Sequence, residues 1–274
     1  MNVVFNTGET SEDLRAEYNP DGSNLRIAQL RMLEMLKYLD GVAQKIGIEY
    51  YIEGGTLLGA IRHGGFIPWD DDADVAMKRS DWKRLCAYLK AHPHPQFVLQ
   101  DHTTDPNYFG AWAVLRDLKS EYLQDDFVHK VRKFRGLQVD LFPLEETPIQ
   151  MFRNFSHFLT KVNMRILIGK HSLFARLLFH FQFGVVNPLA RLLSQILPFI
   201  GKKDKYSYVY GHVAKRPLFQ AKDLFPTRRV AFEDCYLQGP NSPEGYCYRF
   251  FGAYMDLPSK EKRNKHHAQY KIWK

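Results

Sequence analysis

The stretch that decides the fold runs from Glu53 to Met77 and reads EGGTLLGAIRHGGFIPWDDDADVAM. It opens on a pair of glycines, continues through a segment with helical spacing, TLLGAIRH, and crosses a loop, GGFIPW. It then ends in a run of acids that leads into an apolar segment. Glycines at a turn before a helix let backbone N–H groups approach an anion, and the helix N-terminus favours negative charge. The pattern indicates a site that handles phosphate, although a simple turn would also use these glycines.

The acids at the end of this stretch are crowded. Four carboxylates lie within the five positions from Asp70 to Asp74. At an effective dielectric constant near 20, two unit charges ~4 Å apart repel each other by ~4 kcal/mol. In a strand, residues two apart share a face, so Asp72 and Asp74 are predicted to project together while Ala73 and Val75 face the core. Such a pair favours a divalent cation, Mg²⁺ or Mn²⁺, because both prefer hard oxygen ligands. A solvated acidic turn is the alternative.

The residues before and after this stretch complete a mixed pattern of helices and strands. Residues 24–46 have helical apolar spacing, with Ser23 or Asn24 as the N-cap and Gly47 as the C-terminal stop. Residues 48–52 read as a short strand that runs into the glycine turn. We expect Ser80 to cap a helix that follows the acidic strand.

A third acid lies on a strand further along the chain. Residues 136–142 read as a short strand that carries Asp140 and is closed by Pro143. A glycine turn, a paired acid and a third strand acid are the parts of a nucleotidyltransferase site. Two carboxylates would hold a metal ion at the phosphates, and the third would complete a second metal position or accept a proton. The fold class predicted is α/β (α+β), a small mixed sheet flanked by helices.

The basic charge of the protein belongs to one segment. The formal net charge is +8, and residues 151–203 contain eight Lys or Arg and no Asp or Glu. The uncharged run at 177–190 is shorter than the ~20 residues that a spanning helix needs, and it contains polar residues and a proline. We therefore expect no transmembrane helix here, but an amphipathic basic helical pair on an anionic membrane surface. A helical subdomain packed on the sheet is the alternative.

The N-terminal residues and the cysteines indicate where the protein is located, and the sequence blocks indicate how it is divided. The N-terminal residues are polar and acidic where a signal peptide would be basic and then apolar, which predicts a cytoplasmic protein, peripheral on the inner face of the membrane. Three cysteines without metal-site spacing indicate reduced thiols. We expect a catalytic core over 1–150, a basic helical insertion over 151–205, and a C-terminal part over 206–274 that completes the site.

At this point the sequence resembles a known family. The stretch 53–77 is similar to the signature of the LicD family, which also contains the fukutin-related proteins. Two further blocks, WAVLRDLKSEYL at 112–123 and GLQVDLFPLEE at 136–146, look like family blocks as well. The segments FEDCYLQGP at 232–240 and YCYRFFGAYMDLPSKEKRNKHH at 246–267 resemble the closing block. The resemblance covers most of the chain outside roughly 151–205.

The resemblance implies a nucleotidyltransferase-type fold and Mg²⁺-dependent transfer of a phospho-alcohol from a CDP-linked donor to a sugar hydroxyl. In similar bacterial members the group is phosphorylcholine, moved from CDP-choline onto a lipopolysaccharide or teichoic-acid glycan, here expected to be lipid-linked. By the same resemblance Asp72, Asp74 and Asp140 would bind the metal. The residues expected to contact phosphate or acceptor are Gly54, Gly55, Thr56, Arg62, His63, Arg116, Arg263, His266 and His267.

Two departures from the family pattern leave the donor and acceptor open. The segment Phe232–Asp234 reads FED, and Phe251–Met255 reads FGAYM. Transfer of ribitol phosphate or glycerol phosphate is therefore an alternative. A nucleotidyltransferase that acts on nucleic acid is a weaker one, since the basic segment is mainly apolar, and we expect no nucleic-acid partner. A scaffold protein without activity is the third, and the complete acid triad argues against it.

Overall fold

The computed structural model describes residues 3–123, 127–197, 199, 203–212, 217–263 and 269–273. The α-helices are α1 (Ser11–Tyr18), α2 (Asn24–Ile46), α3 (Gly54–His63), α4 (Arg79–Ala91), α5 (Phe127–Lys130), α6 (Gln150–Ile168), α7 (Ser172–Phe181), α8 (Asn187–Ile196), α9 (Ala221–Leu224) and α10 (Pro243–Phe251). The strands are β1 (Tyr50–Ile52), β2 (Asp74–Lys78), β3 (Phe97–Gln100), β4 (Ala113–Asp117), β5 (Ser120–Leu123), β6 (Gln138–Glu146), β7 (Lys205–Tyr208), β8 (Phe219–Gln220), β9 (Arg228–Phe232), β10 (Cys235–Gly239) and β11 (Gln269–Ile272).

A mixed sheet forms the centre of the molecule. Its strand order is β1-β2-β6-β4-β3, and β7 continues from β6 to β8. The β2–β6 pair is parallel, whereas the other pairs of this sheet are antiparallel. Helices α2, α3 and α4 contact the sheet, and the main core lies between them and its strands. The architecture confirms the α/β (α+β) prediction of a mixed sheet flanked by helices.

Helix α2 follows from its sequence as predicted. The Ser23 side chain accepts from the Arg26 amide and caps the first turn, and Gly47 ends the helix in the left-handed conformation. The apolar positions of one face, Met32, Leu36 and Leu39 among them, are fully buried in the main core. Burial of each such side chain stabilises the fold by roughly 1.5–3 kcal/mol.

Strand β2 begins later than predicted. It starts at Asp74, so Asp72 lies in the extended segment before it. The prediction that the two acids share a face of one strand therefore applies to Asp74 only. The alternation of burial nevertheless holds, because Ala73 and Val75 are buried while Asp72 is exposed and Asp74 partly exposed. The prediction for Ser80 was wrong: α4 begins at Arg79, with Lys78 at the N-cap position and no side-chain cap.

Strand β6 does not end at Pro143, which is a second correction. It continues to Glu146, with Pro143 in parallel register with Met77 of β2. The Asp140 amide donates to the Ala73 carbonyl on the β2 side. Because successive amides point to alternate sides of a strand, position 143 faces the other neighbour. There β4 begins, at Ala113, opposite Leu141, and β7 ends, at Tyr208, opposite Leu144, so no residue pairs with position 143 on that side. A missing N–H therefore costs no ladder hydrogen bond at this position.

The basic segment folds as a helical hairpin. Helix α6 packs on a second helix in which α7 and α8 are joined without a break by a π-helical turn, Gln182–Val186. Within the described residues, the part from Leu173 to Ile196 has the length and composition to cross a membrane, with a mean hydropathy of 1.2. The apolar helix is thus longer than the uncharged run at 177–190 from which its length was predicted. The prediction that it is too short to span a membrane was wrong.

The two ends of the chain meet on a small second core. Phe5 and Leu14 pack there with Trp69 and Leu257. The Asn6 side chain accepts from the Leu257 amide at 3.0 Å. The N-terminal and C-terminal parts thereby enclose the segment that precedes the acids.

Candidate active site

The parallel pairing of β2 with β6 brings two of the predicted acids together. Asp74 and Asp140 are register partners, so their side chains project from neighbouring positions on the same face of the sheet. Asp72 lies two residues before Asp74, in the segment that leads into β2. All three acids are thus collected at one place, where β2 starts.

Burial and mutual repulsion raise the pKa values of these carboxyls. The pKa of Asp74 is raised well above its usual value by burial, then by Asp72, Glu53 and Asp140. Burial also raises the pKa of Asp140 to about 7, with Asp72 adding to the shift while Arg116 opposes it. A group of acids whose charged forms are disfavoured by one another is stabilised by a bound cation.

Two further acids belong to this group and were not predicted as site residues. Glu53 is fully buried and accepts from the Tyr246 hydroxyl at 2.7 Å. Asp70 is partly buried, and burial, followed by the charge of Asp72, raises its pKa well above the usual value. Both stand in the 53–77 stretch, but only the fold shows that they face Asp72 and Asp74. The neighbouring Asp71 accepts instead from the hydroxyls of Tyr122 and Tyr270, at 2.8 and 2.6 Å.

The glycine pair lets the N-terminus of α3 approach the acids. Gly54 has a φ of +55°, and a Cβ placed on it would lie 3.6 Å from Asp74 Oδ2. A Cβ on Gly55 would come within 2.8 Å of Asp70 Oδ2, closer than side-chain carbons pack. The positive end of the α3 dipole therefore lies against the carboxylates, where it attracts negative charge.

Of the residues predicted to contact phosphate in this turn, Gly54 and Thr56 already form hydrogen bonds within the protein. The Gly54 amide donates to the Tyr246 hydroxyl at 3.3 Å. Thr56 is buried, and its hydroxyl accepts from the Asp74 amide at 2.9 Å, which fixes the start of β2. The amides of Gly55 and Thr56 lie in the first turn of α3, where no helical carbonyl reaches them. Those two amides are the N–H groups left to meet an anion.

Arg116 lies behind Asp140 rather than in an open cleft. It is 2% exposed, and it donates to Gln100 Oε1 at 2.7 Å and to the Gly136 carbonyl at 2.8 Å. Its remaining nitrogen, Nη2, has no hydrogen-bond partner among the described residues. Burial lowers the pKa of Arg116 to about 10, and its charge lowers the pKa of Asp140. The structure thus makes Arg116 the buried counter-charge of the third acid.

Arg62 and His63 are enclosed by protein at the end of α3. Arg62 Nη1 donates to the carbonyls of Tyr254 and Asp256, at 2.9 and 3.2 Å, and Nε donates to the His63 ring at 2.9 Å. Burial, with the nearby Arg62 charge, lowers the pKa of His63 to about 3, so the ring is neutral. These contacts hold the C-terminal part against α3.

Arg263 has a similar role at the second core. It is 1% exposed, and its guanidinium donates to both carboxylate oxygens of Glu9 and to the Pro258 carbonyl. It also lies over the Trp69 ring, 5.3 Å from the centroid. None of these contacts involves the three predicted acids. His266 and His267 lie outside the described residues.

The acids fit a divalent ion that is completed by a ligand. Among the described residues, no group of three or more His, Cys, Asp or Glu side chains is arranged to hold a metal ion by itself. Mg²⁺ commonly uses one or two carboxylates, with waters and substrate phosphates filling its other positions. The adjacent Asp74 and Asp140, with Oδ1 of Asp140 lacking a hydrogen-bond partner in the described part of the chain, meet that requirement.

Sequence comparisons relate this part of the chain to known proteins. Residues 47–174 match the model of the LicD/FKTN/FKRP nucleotidyltransferase domain. The lipopolysaccharide cholinephosphotransferase LicD of Haemophilus influenzae is 26% identical over 268 residues, which cover 89% of this chain and 96% of that protein. The ribitol 5-phosphate transferase FKRP of Homo sapiens is 48% identical over 48 residues, 18% of this chain and 10% of that protein. The FKRP of Mus musculus matches equally.

The matched region begins at the turn after α2 and includes the whole acidic site. It contains the glycine turn, Asp72 and Asp74 on the approach to β2, and Asp140 on β6. It ends inside α7, so it also takes in the first helix of the hairpin. Residues 47–174 of this chain are therefore a nucleotidyltransferase domain of the LicD/FKTN/FKRP family.

Proposed function

We propose that the protein transfers a phospho-alcohol, in the first instance phosphorylcholine, from a CDP-alcohol to a hydroxyl of a cell-surface glycan. The register of Asp74 with Asp140 carries this proposal, because it concentrates negative charge where a phosphate-bound cation is needed. The cholinephosphotransferase that aligns over 96% of its own length supports the choice of donor. Transfer of ribitol or glycerol phosphate is the runner-up, and the FKRP match supports the former.

Each group of residues in the site has its own role in this transfer. Asp72, Asp74 and Asp140 would hold Mg²⁺ or Mn²⁺, which neutralises charge on the donor phosphates when bound. The amides of Gly55 and Thr56, at the positive end of α3, would bind phosphate oxygens. The acceptor hydroxyl attacks the phosphorus that bears the alcohol, the bond to CMP breaks, and CMP leaves. The hydroxyl proton passes to a carboxylate that does not coordinate the metal, and Asp140 would take this role where Asp72 and Asp74 alone hold the ion.

A donor panel tests the reaction and the identity of the alcohol together. Purified protein is incubated with Mg²⁺, glycan acceptor and CDP-choline, CDP-ribitol or CDP-glycerol, and released CMP is measured. We expect CDP-choline to be the best donor and EDTA to abolish turnover. Preference for CDP-ribitol would select the runner-up, and no turnover with any of the three would contradict the proposal.

Substitution of the paired acid tests the site itself. Asp74→Asn should lower kcat by at least ~100-fold with the fold intact, because it removes a charge that the transition state needs. Asp21→Asn is the matched control, since the Asp21 side chain is 93% exposed and far from the motif in sequence. Full activity of Asp74→Asn would rule out the assigned site.

A further inference from the structure

The second helix of the hairpin exposes a continuous apolar stripe. Along α7, the π-helical turn and α8, large apolar side chains recur every three or four residues on the outer face. Each of them is between 49% and 67% exposed. They are Leu173, Leu177, Phe181, Val185, Leu189, Leu192 and Ile196. Monomeric soluble proteins rarely expose so large a contiguous apolar patch.

The opposite face of the same helix is buried and carries polar side chains beside apolar Ala175, Phe179 and Ala190. Gln182 is fully buried, and its Nε2 donates to the Ser156 carbonyl at 2.8 Å and to Thr160 Oγ1 at 2.9 Å. Asn187 is also fully buried; it accepts from the Ser156 hydroxyl at 2.9 Å and donates to the Tyr210 carbonyl. A surface helix in water instead places mainly polar residues on its exposed face. Polar contacts between helices and apolar side chains outside are typical of helices that face lipid.

Helix α6, which packs on this helix, carries positive charge on its own exposed face. Basic Lys161 and Arg165 lie there between apolar Phe158 and Ile168, all of them exposed and spaced at three or four residues. No Asp or Glu occurs anywhere in residues 151–203. The surface is therefore complementary to an anionic, apolar partner.

We propose that the hairpin α6–α8 is a membrane-docking surface that lies in the plane of an anionic lipid leaflet. Its apolar stripe, from Leu173 to Ile196, enters the boundary between headgroups and acyl chains. Lys161 and Arg165 meet the lipid phosphates. This interaction brings the acidic site to a membrane face, and its measurement needs neither donor nor acceptor.

The contacts of the hairpin with β6 and with the loops beside the sheet favour this in-plane arrangement over a spanning one. Arg176 donates to Asn107 Oδ1 at 2.7 Å near the start of the long helix, and Arg191 donates to Glu145 at 2.9 Å near its end. Asn187 contacts Tyr210 between them. The helix is thus held along its length against the catalytic body. A spanning helix would have to leave these partners, and Arg191 and Glu145 would lose a partly buried ion pair.

Vesicle flotation of the full chain tests the docking surface. The wild type should float with vesicles of phosphatidylcholine and phosphatidylglycerol at low salt, and less with phosphatidylcholine alone. The triple variant Leu177→Glu, Phe181→Glu, Val185→Glu should bind at least ~10-fold more weakly, because each acid must enter the lipid boundary and is repelled by the lipid. The control carries Tyr236→Glu and Tyr248→Glu, at positions that are more exposed than those of the triple variant but lie on β10 and α10. It should bind like the wild type.

Three outcomes would overturn the proposal. The first is a wild type that stays unbound with both kinds of vesicle. The second is light scattering that shows a stable dimer without lipid, lost in the triple variant, since the stripe would then bind a second copy. The third is membrane-bound protein that resists extraction at alkaline pH, since the helix would then span. Circular dichroism of both variants, expected to match the wild type, ensures that weak binding does not reflect unfolding.

Discussion

At the scale of the residue, the predicted acids and the predicted cations have different surroundings. Asp74 and Asp140 face each other from adjacent strands, and burial together with neighbouring charge raises their pKa values. The cations Arg62 and Arg263 are instead enclosed, and their donors are used by protein carbonyls and by Glu9. Clustered carboxylates near an opening indicate a cation site already from their mutual repulsion. An arginine near these acids can bind either protein groups or substrate, and its position in the sequence does not distinguish the two.

His63 gives a prediction for the pH dependence of stability. Burial lowers its pKa from 6.5 to about 3, so between these values the unfolded chain binds a proton that the folded chain does not. Stability should therefore fall as the pH drops from 6.5 towards 3, by up to ~1.4 kcal/mol per pH unit from this group. Urea unfolding of the wild type and of His63→Gln, from pH 7 to pH 4, measures the difference in slope. Parallel curves would contradict the assignment of a neutral, buried ring.

At the scale of the element, the end of β6 joins the sheet to the hairpin. Glu145 is buried, yet the charges of Arg79 and Arg191 hold its pKa below the usual value. Its oxygens accept from Arg79 of α4, from Arg191 of α8 and from the Tyr210 amide. One carboxylate thus fixes two helices to the strand that carries Asp140.

Removal of this carboxylate should loosen the hairpin. Glu145→Gln leaves two arginines without their counter-charge, and we expect a loss of about 3–5 kcal/mol in unfolding free energy. Glu146→Gln is the matched control: its side chain is exposed, and the change should stay within about 0.5 kcal/mol. Equal effects of the two substitutions in urea titrations would show that the Glu145 contacts do not stabilise the junction.

At the scale of the whole molecule, the two ends of the chain close around the motif. Glu9 accepts from Arg263 across 254 positions, and Arg263 covers the Trp69 ring immediately before the acids. Bonds to Arg263 and Thr7 lower the pKa of Glu9 from 4.5 to about 2. The stabilisation from this pair is therefore complete above pH 4.5 and is lost as the pH falls towards 2.

Arg263→Met should destabilise the protein by about 2 kcal/mol at neutral pH, because it leaves Glu9 without its buried partner. The difference from the wild type should shrink below pH 4.5, where Glu9 becomes protonated in the variant. Arg15→Met, at a position whose side chain is 52% exposed, is the control and should have little effect. Tryptophan fluorescence, to which Trp69 contributes together with three other tryptophans, follows the urea unfolding, and an unchanged midpoint for Arg263→Met would contradict the role of this clamp.

Local sequence by itself determined the elements and the acids of this protein. The caps of α2, the glycine turn and the alternation around Ala73 and Val75 act between neighbours in the chain, so their outcome could be read from spacing. Tertiary structure alone decided the register that places Asp74 beside Asp140, the partners of Arg62, Arg116 and Arg263, and the outward direction of the apolar stripe. Each of these depends on contacts between segments far apart in sequence, and side-chain spacing alone does not specify which segments meet.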